Sequence, residues 1–242
     1  MKVSVVIPAF NEEKLLGRCL DSVRTAFPAA AEGGEYELIV CDNNSSDGTP
    51  AAASVGGARV VFEPLNRISG ARNTGAAAAS GDWLLFLDAD SVLSPATLRA
   101  ALKLMRSGAC AGGGAVIALE DPLLPRWAAL PTRLWNLISV VFSLAAGSFL
   151  FCRRDAFSAV GGFSPALYAA EEIELSRALR RWGKGRGLGF MIITSAPHIS
   201  SGRKFRLYKL TDLFAEAFRL LLRPFSSVRN PARLRIFYEG RR

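Results

Sequence analysis

The stretch Leu84-Leu85-Phe86-Leu87-Asp88-Ala89-Asp90 constrains this chain more than any other. Four apolar residues run straight into two carboxylates one residue apart. Residues 83–87 carry no charge, and Gly81 and Ser94-Pro95 punctuate the flanks. The run therefore reads as a buried strand. Asp88 and Asp90 then fall at its carboxyl end, on one face, because side chains alternate with period two. In an open α/β sheet that edge is where ligands bind. Two hard oxygen donors there suit Mg²⁺ or Mn²⁺, with substrate phosphates as further ligands. A strand ending in a polar turn would look the same locally, so the rest of the chain decides.

The chain around this stretch alternates strands and helices. Val3–Ile7 is a strand by its β-branched content, ended by Pro8. Asn11 is placed to cap the next helix, with Glu12 and Glu13 in its first turn. Leu15, Leu16, Cys19, Leu20, Val23 and Phe27 recur at helical spacing and mark its core face. Tyr36–Cys41 is a second strand, followed by six turn-formers from Asp42 to Asp47. Arg59–Phe62 is a short third strand. Ser69–Ala79 is a small-residue helix in which Gly70 and Gly75 permit close backbone approach. Pro95–Ser107 is a helix with Pro in its first turn, and Gly113–Leu119 a strand. The order predicts a doubly wound, mostly parallel sheet.

Leu134–Cys152 has no charged residue but is near the lower length limit of a membrane span. It reads as an apolar helix followed by a strand over Gly147–Phe151. Gly161-Gly162-Phe163 marks a turn before Pro165. Ala170–Trp182 reads as a helix with Glu171, Glu172 and Glu174 in its first turn, where acids also simply complement the dipole. Leu188–Thr194 is the last strand, and His198, the only histidine, follows it.

Charge divides the chain unevenly. Residues 1–200 carry 19 Lys/Arg against 18 Asp/Glu, while residues 201–242 carry 11 against 3. A nearly neutral body excludes nucleic acid as a partner of that body; a basic tail suits an anionic surface. Two units are expected, a body over 1–200 and a basic amphipathic helical tail over 201–242. Leu210, Leu213, Phe214, Ala217, Phe218 and Leu221 form one helical stripe. Arg203, Lys204, Arg206 and Lys209 precede it, and Arg219 and Arg223 lie at its end. The stripe would serve a membrane surface, packing on the body, or a dimer contact. Four widely spaced cysteines, Cys19, Cys41, Cys110 and Cys152, have neither metal-ligand nor redox spacing. They read as buried hydrophobes in a reducing, cytoplasmic setting, and the tail adds the inner face of a membrane as a site of peripheral contact.

Taken together, several stretches resemble the family 2 glycosyltransferases, of GT-A fold. They are Val3-Ser4-Val5-Val6-Ile7-Pro8-Ala9-Phe10-Asn11-Glu12, Asp42 to Thr49, Gly70-Ala71-Arg72-Asn73-x-Gly75, Gly81-Asp82 and Asp88-Ala89-Asp90. Gly161-Gly162-Phe163 and Glu171-Glu172-x-Glu174-Leu175 follow in the same order. The likeness runs from residue 3 to about residue 185 and leaves the tail outside. It implies inverting transfer of a sugar from a nucleotide-diphosphate sugar to an acceptor hydroxyl, a lipid-linked one among the candidates. The donor residues it implies are Pro8, Ala9, Phe10, Glu12, Asp42, Asn44, Arg72, Asp88, Ala89 and Asp90. Pro8, Phe10 and Glu12 would wall base and ribose, and Asp42 would accept from a base N–H. Arg72 would either neutralise phosphate or partner Asp88. Asp90 is the implied metal ligand, with Asp88 on ribose or on the ion through water, and His198 completing the shell. Glu171, Gly162 and Phe163 belong to the acceptor side, and Glu172 is the implied base. The family usually has Glu-Asp where this chain has Glu171-Glu172, which adds a methylene to the base. A nucleotidyltransferase would be expected to carry a Gly-rich basic loop after the first strand, where this chain has acidic, glycine-free Pro8–Glu13. A non-catalytic nucleotide-sugar binding protein is the other reading.

Overall fold

The computed structural model describes residues 1–30, 34–120 and 124–203. Among these, seven strands form one sheet: β1 (Lys2–Ala9), β2 (Glu35–Asp42), β3 (Arg59–Phe62), β4 (Trp83–Leu87), β5 (Cys110–Leu119), β6 (Phe149–Arg153) and β7 (Gly189–Ser200). Their order is β3-β2-β1-β4-β6-β5-β7. Every pairing is parallel except those of β6, which runs antiparallel to both β4 and β5. Helices α1 (Leu16–Ala30), α2 (Thr49–Val55), α3 (Ile68–Ala77), α4 (Pro95–Arg106), α5 (Ala129–Phe142), α6 (Arg154–Ala159) and α7 (Glu171–Lys184) surround it. This is the expected α/β architecture.

Period-two alternation builds two cores from the same strands. Val3, Val5 and Ile7 of β1, with Leu85 and Leu87 of β4, pack with Leu16, Leu20 and Phe27 of α1 and Leu98 and Leu102 of α4. Val6, Leu84 and Phe86 point the other way, into a core with Ala76 of α3, Phe157 of α6 and Leu175 and Leu179 of α7. Of the two glycines expected to permit close approach, Gly75 does so: a Cβ there would stand 2.4 Å from Val6 Cγ1. Gly70 meets only the Glu63 side chain at ordinary contact distance.

Four local expectations change. Asn11 does not cap α1. It adopts a left-handed φ of 53°, and its Oδ1 accepts from Ser46 N at 2.7 Å, so α1 begins only at Leu16. Helix α2 is absent from the sequence reading because Thr-Pro-Ala-Ala-Ala-Ser-Val has no apolar periodicity. Strand β7 continues to Ser200, six residues past Thr194, and therefore contains His198. Finally, β4 ends at Leu87, and Ser91 N bonds Asp88 O at 3.0 Å. Asp88 and Asp90 thus sit in a turn rather than on one strand face. The apolar stretch after Leu134 is a helix followed by a strand, as expected, and no helix among the described residues is long and apolar enough to cross a membrane. All four cysteines are free and buried, and burial pushes the Cys41 thiol up to about 12. The expected tail helix lies outside the described residues.

Candidate active site

The carboxyl edge of β4 meets α3 and α7 through one arginine. Arg72, on α3, is 2% exposed. Its Nη2 donates to Asp88 Oδ1 at 3.0 Å and to Gly147 O at 2.9 Å. Its Nη1 donates to Glu171 Oε1 at 2.8 Å. Burial works against the charge, but Asp88, Glu171 and Glu172 outweigh it and hold the guanidinium charged. Of the two roles open to Arg72, the geometry is that of a partner to Asp88. Glu171 is itself buried at the start of α7, and its Oε2 makes no hydrogen bond among the described residues. Glu172 follows. Burial first, then Glu171, raise its carboxyl to about 7, with Arg72 pulling the other way. A carboxyl poised near neutrality can take a proton from a hydroxyl at working pH.

A second arginine lies on the other flank. Arg203 Nη2 donates to Glu12 Oε1 at 2.8 Å and to Asp90 Oδ2 at 3.3 Å. A cleft of about 230 Å³ opens beside it, between Leu15 and Arg18 on one wall and Ile199–Ser201 on the other. Asp90 lines this cleft. Sequence reasoning did not place Arg203 in the site, because it opens a basic run and was grouped with the tail; its position five residues beyond His198 was the available signal.

His198 is buried on β7. Its ring stacks on Phe149 with centroids 5.0 Å apart. Phe149 in turn pairs with Leu87, the residue before Asp88. Burial lowers the imidazole to about 4 against the pull of Asp88, so it is neutral at pH 7, and among the described residues neither ring nitrogen has a hydrogen-bond partner. Among the described residues no three His, Cys, Asp or Glu side chains converge as a finished metal cage. A hard divalent ion of the Mg²⁺ type does not require one, since it commonly takes one or two carboxylates together with substrate phosphates. Asp88 and Asp90 are oxygen donors of the kind Mg²⁺ or Mn²⁺ takes, whereas His198 is not grouped with them as a third ligand.

The base-side loop is built from β1 and β2. Ala9 pairs with Asp42 across the strands, and Asn43 N bonds Ala9 O at 2.8 Å. Asp42 is buried, and its Oδ1 accepts from Ser45 N, three residues on, at 3.1 Å. Glu12 N donates to the buried hydroxyl of Thr49 at 2.7 Å. Pro8 is buried, while Phe10 is half-buried and Asn44 exposed with φ 65°. Ala89 packs into the core below the site.

Beside Arg72 two sequence motifs clasp each other. Asn73 Nδ2 donates to Phe163 O at 2.8 Å and Asn73 Oδ1 accepts from Phe163 N at 2.9 Å. Gly162 makes the clasp possible: its φ is 72°, and a Cβ would lie 2.8 Å from Asn73 Oδ1. The Phe163 ring is fully buried, edge-on to Phe86 and 5.2 Å from the Arg72 guanidinium. Its place is thus beneath Arg72.

Comparison with known proteins agrees with this architecture. The family model described as "Glycosyl transferase family 2" matches residues 4–161. The succinoglycan biosynthesis protein ExoO of Rhizobium meliloti (strain 1021) is 35% identical over 123 residues, covering 49% of this chain and 32% of that protein. An undecaprenyl-phosphate 4-deoxy-4-formamido-L-arabinose transferase of Klebsiella pneumoniae (strain 342) is 38% identical over 96 residues, 37% of this chain and 29% of that one. The chain therefore spans about a third or less of the length of these curated relatives. Among solved structures, the mannosyltransferase PcManGT from Pyrobaculum calidifontis, in complex with GDP-Man and Mn²⁺, superposes with a TM-score of 0.67. It shares 22% identity and covers 90% of this chain and 64% of its own, which is a likeness of fold.

Proposed function

The chain belongs to glycosyl transferase family 2, and from that premise we propose that it transfers a sugar from a nucleotide-diphosphate donor to an acceptor hydroxyl with inversion. The observation that carries this reading is the Arg72 bridge. It ties Asp88, at the donor edge of β4, to Glu171, beside the near-neutral carboxyl of Glu172. The bridge thereby joins the acidic turn after β4 to the start of α7, which carries the candidate base.

Asp42 and the Pro8–Glu12 segment would receive the nucleoside. Asp90, with Asp88, would hold Mg²⁺ or Mn²⁺ together with the donor phosphates; PcManGT, with its GDP-Man and Mn²⁺, supports that choice. A divalent ion there would offset the charge of the diphosphate leaving group. Glu172 takes the proton of the acceptor hydroxyl, whose oxygen attacks the anomeric carbon as the bond to the diphosphate breaks. A single displacement of this kind inverts the centre. Arg72 is engaged by hydrogen bonds to Glu171 and Asp88, which leaves Glu172 to take the proton. The name of the undecaprenyl-phosphate relative supports a lipid-linked acceptor.

The test begins with nucleotide sugars screened by thermal shift with and without Mn²⁺, since bound ligand raises the midpoint by mass action. Transfer is then assayed with the sugar that binds. Glu172→Gln should lower turnover by ~10²–10⁴-fold with donor affinity retained. Binding without turnover in the unaltered protein would favour the binding-protein reading. A Glu172→Gln variant of normal rate would remove Glu172 from the role of base.

A further inference from the structure

Helix α5 is built the wrong way round for a helix of a globular body. Its only fully buried side chain is Ser139, whose hydroxyl donates to Leu144 O at 2.6 Å. Asn136 clamps the helix to β5 with two bonds to the Ile117 backbone, at 2.8 and 2.9 Å. Polar residues thus fix the orientation, and the apolar ones turn outward. Leu130, Leu134, Leu137 and Val141 stand 56–72% exposed. They fall at i, i+4, i+7 and i+11, one stripe of a helix, and Phe142 extends it, also exposed. A contiguous exposed apolar face of this kind marks a contact surface.

The charge around the stripe selects its occupant. Arg133 is exposed on the helix itself, and the exposed Arg180 sits at its end, with Nη1 donating to Phe142 O at 2.6 Å. The 204–242 segment, with its excess of Lys and Arg, would bring like charge to this face, and so would a second copy of the chain. An anionic lipid surface satisfies both the stripe and the arginines. With 14 residues, α5 is about 21 Å long, too short to cross a hydrocarbon core but suited to lying in the interface.

We propose that the outer face of α5 seats on the headgroup–acyl boundary of an anionic bilayer. The helix leads within five residues to Gly147, whose carbonyl accepts from Arg72. Docking through α5 therefore brings the acceptor side of the cleft to the membrane. The docking stands on α5 alone. Its corollary, that the acceptor hydroxyl belongs to a membrane lipid, rests on the transferase reading above.

The experiment is flotation of the full chain with phosphatidylcholine vesicles, with and without phosphatidylglycerol. Unaltered protein should float only with the anionic vesicles and be released by salt. The double variant Leu134→Glu/Leu137→Glu should keep its circular dichroism and melting temperature and lose flotation by at least ~10-fold. Arg133→Glu should lose several-fold. Unaltered protein that ignores anionic vesicles overturns the proposal, as does a double variant that floats undiminished. A double variant that melts lower, or that splits a dimer, assigns the face to the body's own chain or to a second copy and overturns it too. Protein that floats but transfers no sugar keeps the docking and loses only the transferase reading; transfer to a soluble acceptor without flotation does the reverse.

Discussion

Two arginines flank the Asp88-Ala89-Asp90 turn, and they are made differently. Arg72 is 2% exposed and holds two carboxylates and a backbone carbonyl, joining α3, β4 and α7. Arg203 is 22% exposed and holds Glu12 and Asp90 at the rim of an open cleft. A buried charge network cannot lose one member without stranding the others. An exposed bridge exchanges its partners for water or a ligand at small cost. The lesson is that one motif can be rigid on the face that meets α7 and exchangeable on the face that opens to the cleft.

The contrast is broken first at Arg72. Arg72→Met should destabilise the protein by ~3–5 kcal/mol, because Asp88 and Glu171 lose their cation inside the fold. Urea unfolding measures this, and a loss below ~1 kcal/mol would make the buried bridge no different from the exposed one.

The next effect is a pH dependence. The Glu172 carboxyl is raised from 4.5 to about 7 in the fold, so between those values the folded state binds more protons than the unfolded one. Stability of metal-free protein should therefore fall as pH rises through that window, by on the order of 2 kcal/mol once partial solvent screening is allowed for. Glu172→Gln should flatten the curve. On the proposed role of Glu172, turnover should run the opposite way, rising with pH through about 7 as that carboxyl deprotonates. A melting temperature that does not respond to pH between 4.5 and 7 would contradict the burial of this group.

Arg203 gives the smallest effect. Arg203→Gln should cost at most ~1 kcal/mol, and the cost should shrink in salt. The same change should tighten Mn²⁺ binding in a nucleotide-free titration by a few-fold, since a cation no longer competes for Asp90. Weaker Mn²⁺ binding would mean that Arg203 positions Asp90 rather than competing for it.

Legibility in the sequence follows the same division. The buried strands were readable because Val3–Ile7 and Trp83–Leu87 are unbroken apolar runs, and α4 because Ser94 and Pro95 announce it; Ser94 Oγ does accept from Thr97 N at 3.0 Å. Strand β7 read short because Ser195-Ala196-Pro197 resembles a turn. Pro197 cannot donate to a ladder, and the register slips between Ala115 and Ile117, but the strand resumes and carries His198 beside Phe149. The carboxylates of the site were readable as motifs. Their partners were not, because the Arg72–Glu171 and Arg203–Glu12 pairs are separated by 99 and 191 residues and no local pattern encodes them. Asn11 looked like a cap because capping chemistry and loop-bracing chemistry use the same side chain.

The insertion of the late strand β6 between β4 and β5 also dictates when the sheet can close. Strands β1 to β4 are complete once residue 87 has been made, yet one edge of β4 waits for a partner that begins only at Phe149. During synthesis the apolar run Trp83–Leu87 is therefore an open edge for the whole time that α4, β5 and α5 emerge. Unpaired apolar edges of this kind are where nascent chains associate wrongly. A ribosome that stalls before Phe149 would release a sheet ready to pair with its neighbour, and one that passes Arg153 would release a sheet in which β4 is paired on both sides.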